Sequence, residues 1–174
     1  MICVPIIGPS VSKAQEQIAS ASAVADILEL RLDLIDTPDL NILLDSANLP
    51  VIVTNRSKLD GGQFKGPDED RLKSLREALK AGADYVDIEV STPREHLQPF
   101  LEEGDPARII LSYHDFSHTP EDFTPLYEAM CEMPGDIIKI VTYARDLGDN
   151  LKMFELLQRA KREKQKLIGL CMGD

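Results

Sequence analysis

The 174-residue sequence predicts a parallel α/β fold of the TIM type, the closed (β/α)8 barrel, and three observations lead there. Short apolar runs bounded by turn signals alternate with stretches of helical periodicity, at a spacing of about 25 residues. Several of those runs carry charged groups on one face only. No linker or low-complexity segment divides the chain, whose length is near the roughly 150 residues of one domain, so residues 1–174 read as a single barrel domain.

The first run, residues 2–7, is stopped at once by Gly8-Pro9, and residues 11–23 then repeat apolar positions at helical spacing. The second strand, residues 26–32, sets Leu28, Leu30 and Leu32 on one face and Glu29, Arg31 and Asp33 on the other. In the third, residues 51–54, Arg56 falls in line with Thr54, and a helix over 68–81 follows. The fourth, residues 85–90, alternates Val86, Ile88 and Val90 against Tyr85, Asp87 and Glu89. The fifth, residues 108–113, aligns Ser112 with His114, and residues 121–131 return as a helix. The sixth, residues 137–142, places Lys139 between Ile137 and Val141, with a helix over 148–164 leading to a seventh strand at 167–172.

Two architectures suit this alternation, an open doubly wound sheet and a closed barrel. Strands of an open parallel sheet read as near-continuous apolar runs, because helices cover both faces. The one-sided polarity of five strands here fits a barrel, whose polar faces share one interior while the aliphatic faces pack against helices. Charges near the carboxyl ends of barrel strands lie where such folds carry active sites. The competing reading is that they are buried ion pairs filling the lumen, since buried charges need partners with or without catalysis.

Composition narrows the partners. Nineteen Lys and Arg against thirty Asp and Glu give −11, a field that repels phosphate backbones and argues against nucleic acid. Cys3, Cys131 and Cys171 are odd in number, far apart and without CxxC spacing, which argues against a disulfide framework or structural zinc and favours a reducing cytoplasm. No apolar run approaches the roughly 18 residues of a membrane span, and the opening residues lack the positive region of a signal peptide.

Lys139 is the most informative position for chemistry. In mid-strand its amine is expected to be kept from water, and burial disfavours the charged form; a neutral amine attacks ketones to form imines. The alternative is a lysine paired with Asp87 or Glu89. His114, one strand–helix unit earlier, has an intrinsic pKa suited to proton transfer near neutrality. His118, four residues on, shares a metal only if both lie on a helix, and Ser-His-Thr-Pro reads as a turn, so no metal site is expected. Arg31 and Arg56 are candidates to hold a carboxylate. Asp60 stands before Gly61-Gly62 on a loop able to close over a site, or is an ordinary turn aspartate. No GxGxxG, GxxxxGK[ST] or GxSxG occurs, so dinucleotide, P-loop and serine-hydrolase readings have no motif.

At these residues the sequence resembles the type I 3-dehydroquinate dehydratases. The matching stretches are Glu29-Leu30-Arg31-Leu32-Asp33, Thr54-Asn55-Arg56-Ser57 with Asp60-Gly61-Gly62, Val86-Asp87-Ile88-Glu89, Ser112-Tyr113-His114-Asp115-Phe116, Lys139 in its apolar strand and Leu170-Cys171-Met172-Gly173. The resemblance implies dehydration of 3-dehydroquinate to 3-dehydroshikimate in the shikimate pathway without an added cofactor. Lys139 would form the imine, and His114 would remove the C2 proton and help the C1 hydroxyl leave. Glu29, Arg31 and Arg56 would bind substrate. Asp60 stands where the family has a glutamate paired with the histidine, one methylene longer.

The family also places a carboxylate-gripping arginine, lid contacts, the last helices and an eighth strand beyond the position of Asp174. On that comparison the barrel is cut after its seventh strand, leaving two unpaired edges. Three arrangements follow: the front of a fused dehydratase and shikimate dehydrogenase, a chain that compensates by association such as a homodimer, or a barrel domain without turnover. A class I aldolase, which also uses a barrel lysine imine, is the remaining enzyme reading.

Overall fold

The computed structural model describes residues 1–103 and 105–173; Asp174, the expected cut, lies outside the described residues. The chain forms two compact units, Met1–Asp87 and Ile88–Asp174. In the first, β1 (Cys3–Ile6), β2 (Ile27–Arg31), β3 (Val51–Thr54) and the start of β4 (Tyr85–Glu89) pair in parallel in chain order. Helices α1 (Val11–Ala21), α2 (Leu40–Asp45) and α3 (Asp68–Ala81) connect them. The expected alternation holds: Leu28, Leu30, Val53 and Val86 are fully buried, together with Ala14 of α1 and Leu75 and Ala78 of α3. Helix α1 begins at Ser10, whose hydroxyl accepts from the Lys13 N–H, and α3 opens on Asp68, Glu69 and Asp70, acidic residues that suit the positive end of the helix dipole.

The second unit opens inside β4 and continues through α4 (Arg94–Glu103), β5 (Ile109–His114), α5 (Thr124–Cys131), β6 (Ile137–Tyr143), α6 (Leu147–Glu163) and β7 (Lys166–Met172). Strands β5, β6 and β7 run parallel, and the Val90 N–H just past β4 donates to the Ser112 carbonyl at 2.9 Å. At Gly169 of β7 a Cβ would come within 2.7 Å of the Met153 sulfur and 3.1 Å of Leu157, so α6 lies too close for any other residue without movement. The α6 end is anchored where the buried Tyr127 hydroxyl donates to Glu163 at 2.8 Å.

All seven expected strands are present, within about two residues at each end. One helix has no counterpart in the expected pattern: α2 has only six residues, too few to show a period. Helix α4 carries Pro99 inside a polar stretch. The helix expected from 121 begins at Thr124, with Pro125 in its first turn.

Candidate active site

In the first unit the register places Arg31 beside Thr54 and Thr54 beside Asp87, so Glu29, Arg31, Thr54 and Asp87 share one face of three adjacent strands. Thr54 Oγ1 donates to Glu29 Oε1 at 2.7 Å. Arg56, two residues past β3, pairs its Nη2 with Asp87 Oδ2 at 2.9 Å, and the two side chains are 5% and 0% exposed. A charge pair taken this far from water is strongly destabilising if either partner is removed alone.

Arg31 closes its fork on Asp33, Nε to Oδ1 at 2.9 Å and Nη2 to Oδ2 at 2.8 Å. Burial works against its charge, but the bonds and charge of Asp33, with the charge of Glu29, outweigh it and leave the guanidinium pKa above its ordinary value. The result is a permanent cation held in one orientation, the form suited to recognising a carboxylate.

Asp60 ends a short 3-10 turn, Lys58–Asp60, and is buried. Ser57 Oγ donates to Asp60 Oδ2 at 2.8 Å and accepts from the Asp60 N–H at 3.2 Å. Gly61 takes the left-handed conformation, with φ of 78°, and a Cβ on Gly62 would lie 2.1 Å from the Arg56 carbonyl oxygen. The Phe64 N–H donates to Arg56 O at 3.2 Å and the Gly62 N–H to Ser57 O at 2.8 Å. The sequence suggests a loop able to close; the structure has it fastened back onto the end of β3.

In the second unit Ser112 of β5 is the register partner of Lys139 of β6, and His114 is the partner of Val141. Lys139 and His114 therefore face the same side of neighbouring strands, two residues apart along the chain direction. Their Cα atoms are about 8 Å apart by strand geometry, a gap that a lysine and a histidine side chain can span between them. Ser112 beneath them is fully buried, and Glu89 at the end of β4 is equally covered. His114 and Lys139 are half-buried. The lysine expected to be kept from water is thus only partly covered.

The His114 ring stacks on Phe116, with centroids 6.0 Å apart and planes 11° from parallel. The next residue, Asp115, ties off the loop. Its Oδ1 accepts from the Ser117 N–H at 2.8 Å, the Ser117 hydroxyl at 2.7 Å and the His118 N–H at 3.0 Å. Burial alone would raise the Asp115 carboxyl, but these bonds outweigh it and hold it below the usual carboxylate range. The Asp115 N–H donates to Val141 O at 2.9 Å and the Tyr143 N–H to His118 O at 3.3 Å, which locks the loop to β6. His118 itself is exposed and faces Asp115 at 2.9 Å. Among the described residues no group of three or more His, Cys, Asp or Glu is arranged to hold a metal ion.

Sequence reasoning selected the side chains with chemistry and named Asp33, Thr54, Ser57 and Asp115 beside them, but gave these four no part in fixing the others. A signal existed for one: Asp115-Phe116-Ser117 has the spacing by which an aspartate accepts from the backbone two residues on. Chemically, the second unit offers an amine and an imidazole on one face. The first offers fixed guanidinium groups among carboxylates.

The model of the family described as Type I 3-dehydroquinase matches residues 2–174. A 3-dehydroquinate dehydratase of Desulfotalea psychrophila is 35% identical over 99% of this chain and 78% of its own length. One from Methanothermobacter thermautotrophicus is 39% identical over 99% of this chain and 77% of its own. The crystal structure of 3-dehydroquinate dehydratase from Geobacillus kaustophilus superposes with a TM-score of 0.87 at 25% identity, covering 99% of this chain and 74% of that one. The fold is α/β of the TIM type.

Proposed function

The chain belongs to the type I 3-dehydroquinase family, and from that premise we propose how its residues divide the work. The activity is that of a 3-dehydroquinate dehydratase, a hydro-lyase. The Lys139 amine adds to the substrate ketone and expels its oxygen as water, forming an imine whose positive nitrogen acidifies the C2–H bond. His114 takes the C2 proton, the C1 hydroxyl leaves as water with a proton returned from the imidazole, and hydrolysis of the imine releases 3-dehydroshikimate and the free amine. Glu29, Arg31 and Arg56 bind and orient substrate, the arginines as cations fixed in place by their carboxylate partners. Asp60 serves in the place of the family's glutamate.

The observation that carries this reading is the placement of Lys139 and His114 on one face of adjacent strands, half-buried and so reachable. Borohydride added during turnover of 3-dehydroquinate tests it. The expected product carries the reduced substrate as added mass on the peptide containing Lys139; an unmodified lysine under conditions that trap a homologue overturns the assignment.

We further place the reaction in the shikimate pathway of a cytoplasmic enzyme and infer a homodimer. Supporting this setting, the three cysteines form no disulfide and no helix is long and apolar enough to cross a membrane, both among the described residues. Leu147, Leu151 and Phe154 form an exposed apolar stripe on α6, which supports association. Sedimentation at micromolar concentration gives a dimer mass if this is right and a monomer mass if it is not.

A further inference from the structure

Asp33 lies just past β2 in the turn Leu32–Leu34, with its side chain 0% exposed. Its two oxygens accept four hydrogen bonds in a symmetrical pattern. Oδ1 takes Arg31 Nε at 2.9 Å and the Arg56 N–H at 3.3 Å. Oδ2 takes Arg31 Nη2 at 2.8 Å and the Gln63 N–H at 3.0 Å. A carboxylate offers about four lone-pair sites, so this one is saturated and has no capacity left for a substrate proton or a cation. Its contribution is therefore made through the groups it holds.

Those groups belong to two different pieces of the site. Arg31 spends two of its five N–H donors on Asp33, which fixes the plane of the guanidinium and leaves the other three for an anion. The two backbone N–H groups sit at the ends of the loop that carries Asp60, so one carboxylate ties the end of β2 to both ends of that loop. A free arginine side chain samples many rotamers, whereas a forked pair to a buried carboxylate leaves one.

We propose that Asp33 is a positioning residue for the dehydration, holding Arg31 aimed at the substrate and the Asp60 loop in register with it. The proposal rests on the reading of Arg31 as a substrate-binding residue. Replacing Asp33 by Asn turns one acceptor oxygen into a donor that meets two N–H groups, so the fork and one end of the loop come apart together.

The test is steady-state kinetics on Asp33→Asn, Arg31→Ala and the double variant, each with and without guanidinium chloride at a concentration far below denaturing. Asp33→Asn is expected to raise KM about tenfold or more, since small misplacements of a binding group are costly. In the Arg31→Ala background the same change should alter KM less than about twofold, because coupled residues do not add. Guanidinium should lower the KM of Arg31→Ala, where the Asp33 cradle is intact, and not that of the double variant; a merely structural Asp33 would show no such dependence. Wild-type KM in Asp33→Asn, additive effects in the double variant, or equal rescue with and without Asp33 would each overturn the proposal. If Asp33→Asn does not fold, Asp33→Glu keeps the charge and shifts the cradle, and should raise KM with a melting temperature near that of the wild type. Wild-type KM in Arg31→Ala would overturn the binding role of Arg31 first, a failure visible before Asp33 is altered, and the proposal with it.

Discussion

The polar faces of the two units use similar residue types to opposite ends. In Met1–Asp87 the charges are buried and matched, Arg56 on Asp87 and Arg31 on Asp33, with Thr54 bonded to Glu29. In the second unit Lys139 and His114 stay half-buried on neighbouring strands. A group that recognises a fixed anion gains from being locked by a partner, while a group that must attack and then be released has to be reachable. The difference separates binding from covalent chemistry, and it can be broken or sharpened by experiment.

The largest expected effect is on turnover. Lys139→Ala should lower kcat on the order of 10⁴-fold or more while shifting the melting temperature little, because the amine acts in the reaction and its side chain is only half-buried. A loss of stability comparable to that of an arginine variant of the first unit would erase the contrast. Arg56→Ala is the reciprocal case. It takes from buried Asp87 its ion-pair partner, and should cost about 3–5 kcal/mol in denaturant unfolding, much of it recovered when Asp87 is also replaced by an apolar residue of similar size.

His114→Ala should slow turnover on the order of 10²-fold or more yet still accumulate the borohydride-trapped adduct, since imine formation precedes the proton step. No adduct in this variant would mean that the histidine is needed for attack as well. The smallest effect concerns Asp115. Its folded-state pKa is depressed, so its stabilising contribution is complete above the ordinary carboxylate pKa of about 4 and fades as pH falls from there through the depressed value. Asp115→Ala should therefore cost about 1 kcal/mol at pH 7, and the wild-type advantage should shrink in melts taken toward pH 3. A gap that stays constant over that range would assign the loss to packing.

Much of this was legible in the sequence, for a physical reason. Alternation of Leu28, Leu30 and Leu32 against Glu29, Arg31 and Asp33 records which side of a strand meets helices, so strand positions and the polar face could be read directly. The chemical candidates were legible because a lysine among Ile and Val is costly to keep. What stayed hidden was geometry between elements. Alternation alone groups Asp33 with Glu29 and Arg31, whereas the chain leaves the strand after Arg31 and turns Asp33 back onto the fork and the Asp60 loop. How far Lys139 is covered could not be read either, because periodicity reports a strand's own faces and not its neighbours; the side chain is half-buried. Helix α2 escaped because six residues, even with Asp39 accepting from the Ile42 N–H as a cap, show less than two turns of pattern.

The most direct test of an imine at Lys139 needs neither product nor trap. With elimination slowed in His114→Ala, reversible imine formation should exchange the C3 oxygen of 3-dehydroquinate with ¹⁸O-labelled water, well above the spontaneous hydration rate, as followed by mass spectrometry. That enzymatic exchange should vanish when Lys139→Ala is added. Equal exchange in the single and double variants, alongside normal dehydration by the wild type, would contradict covalent attack by this amine.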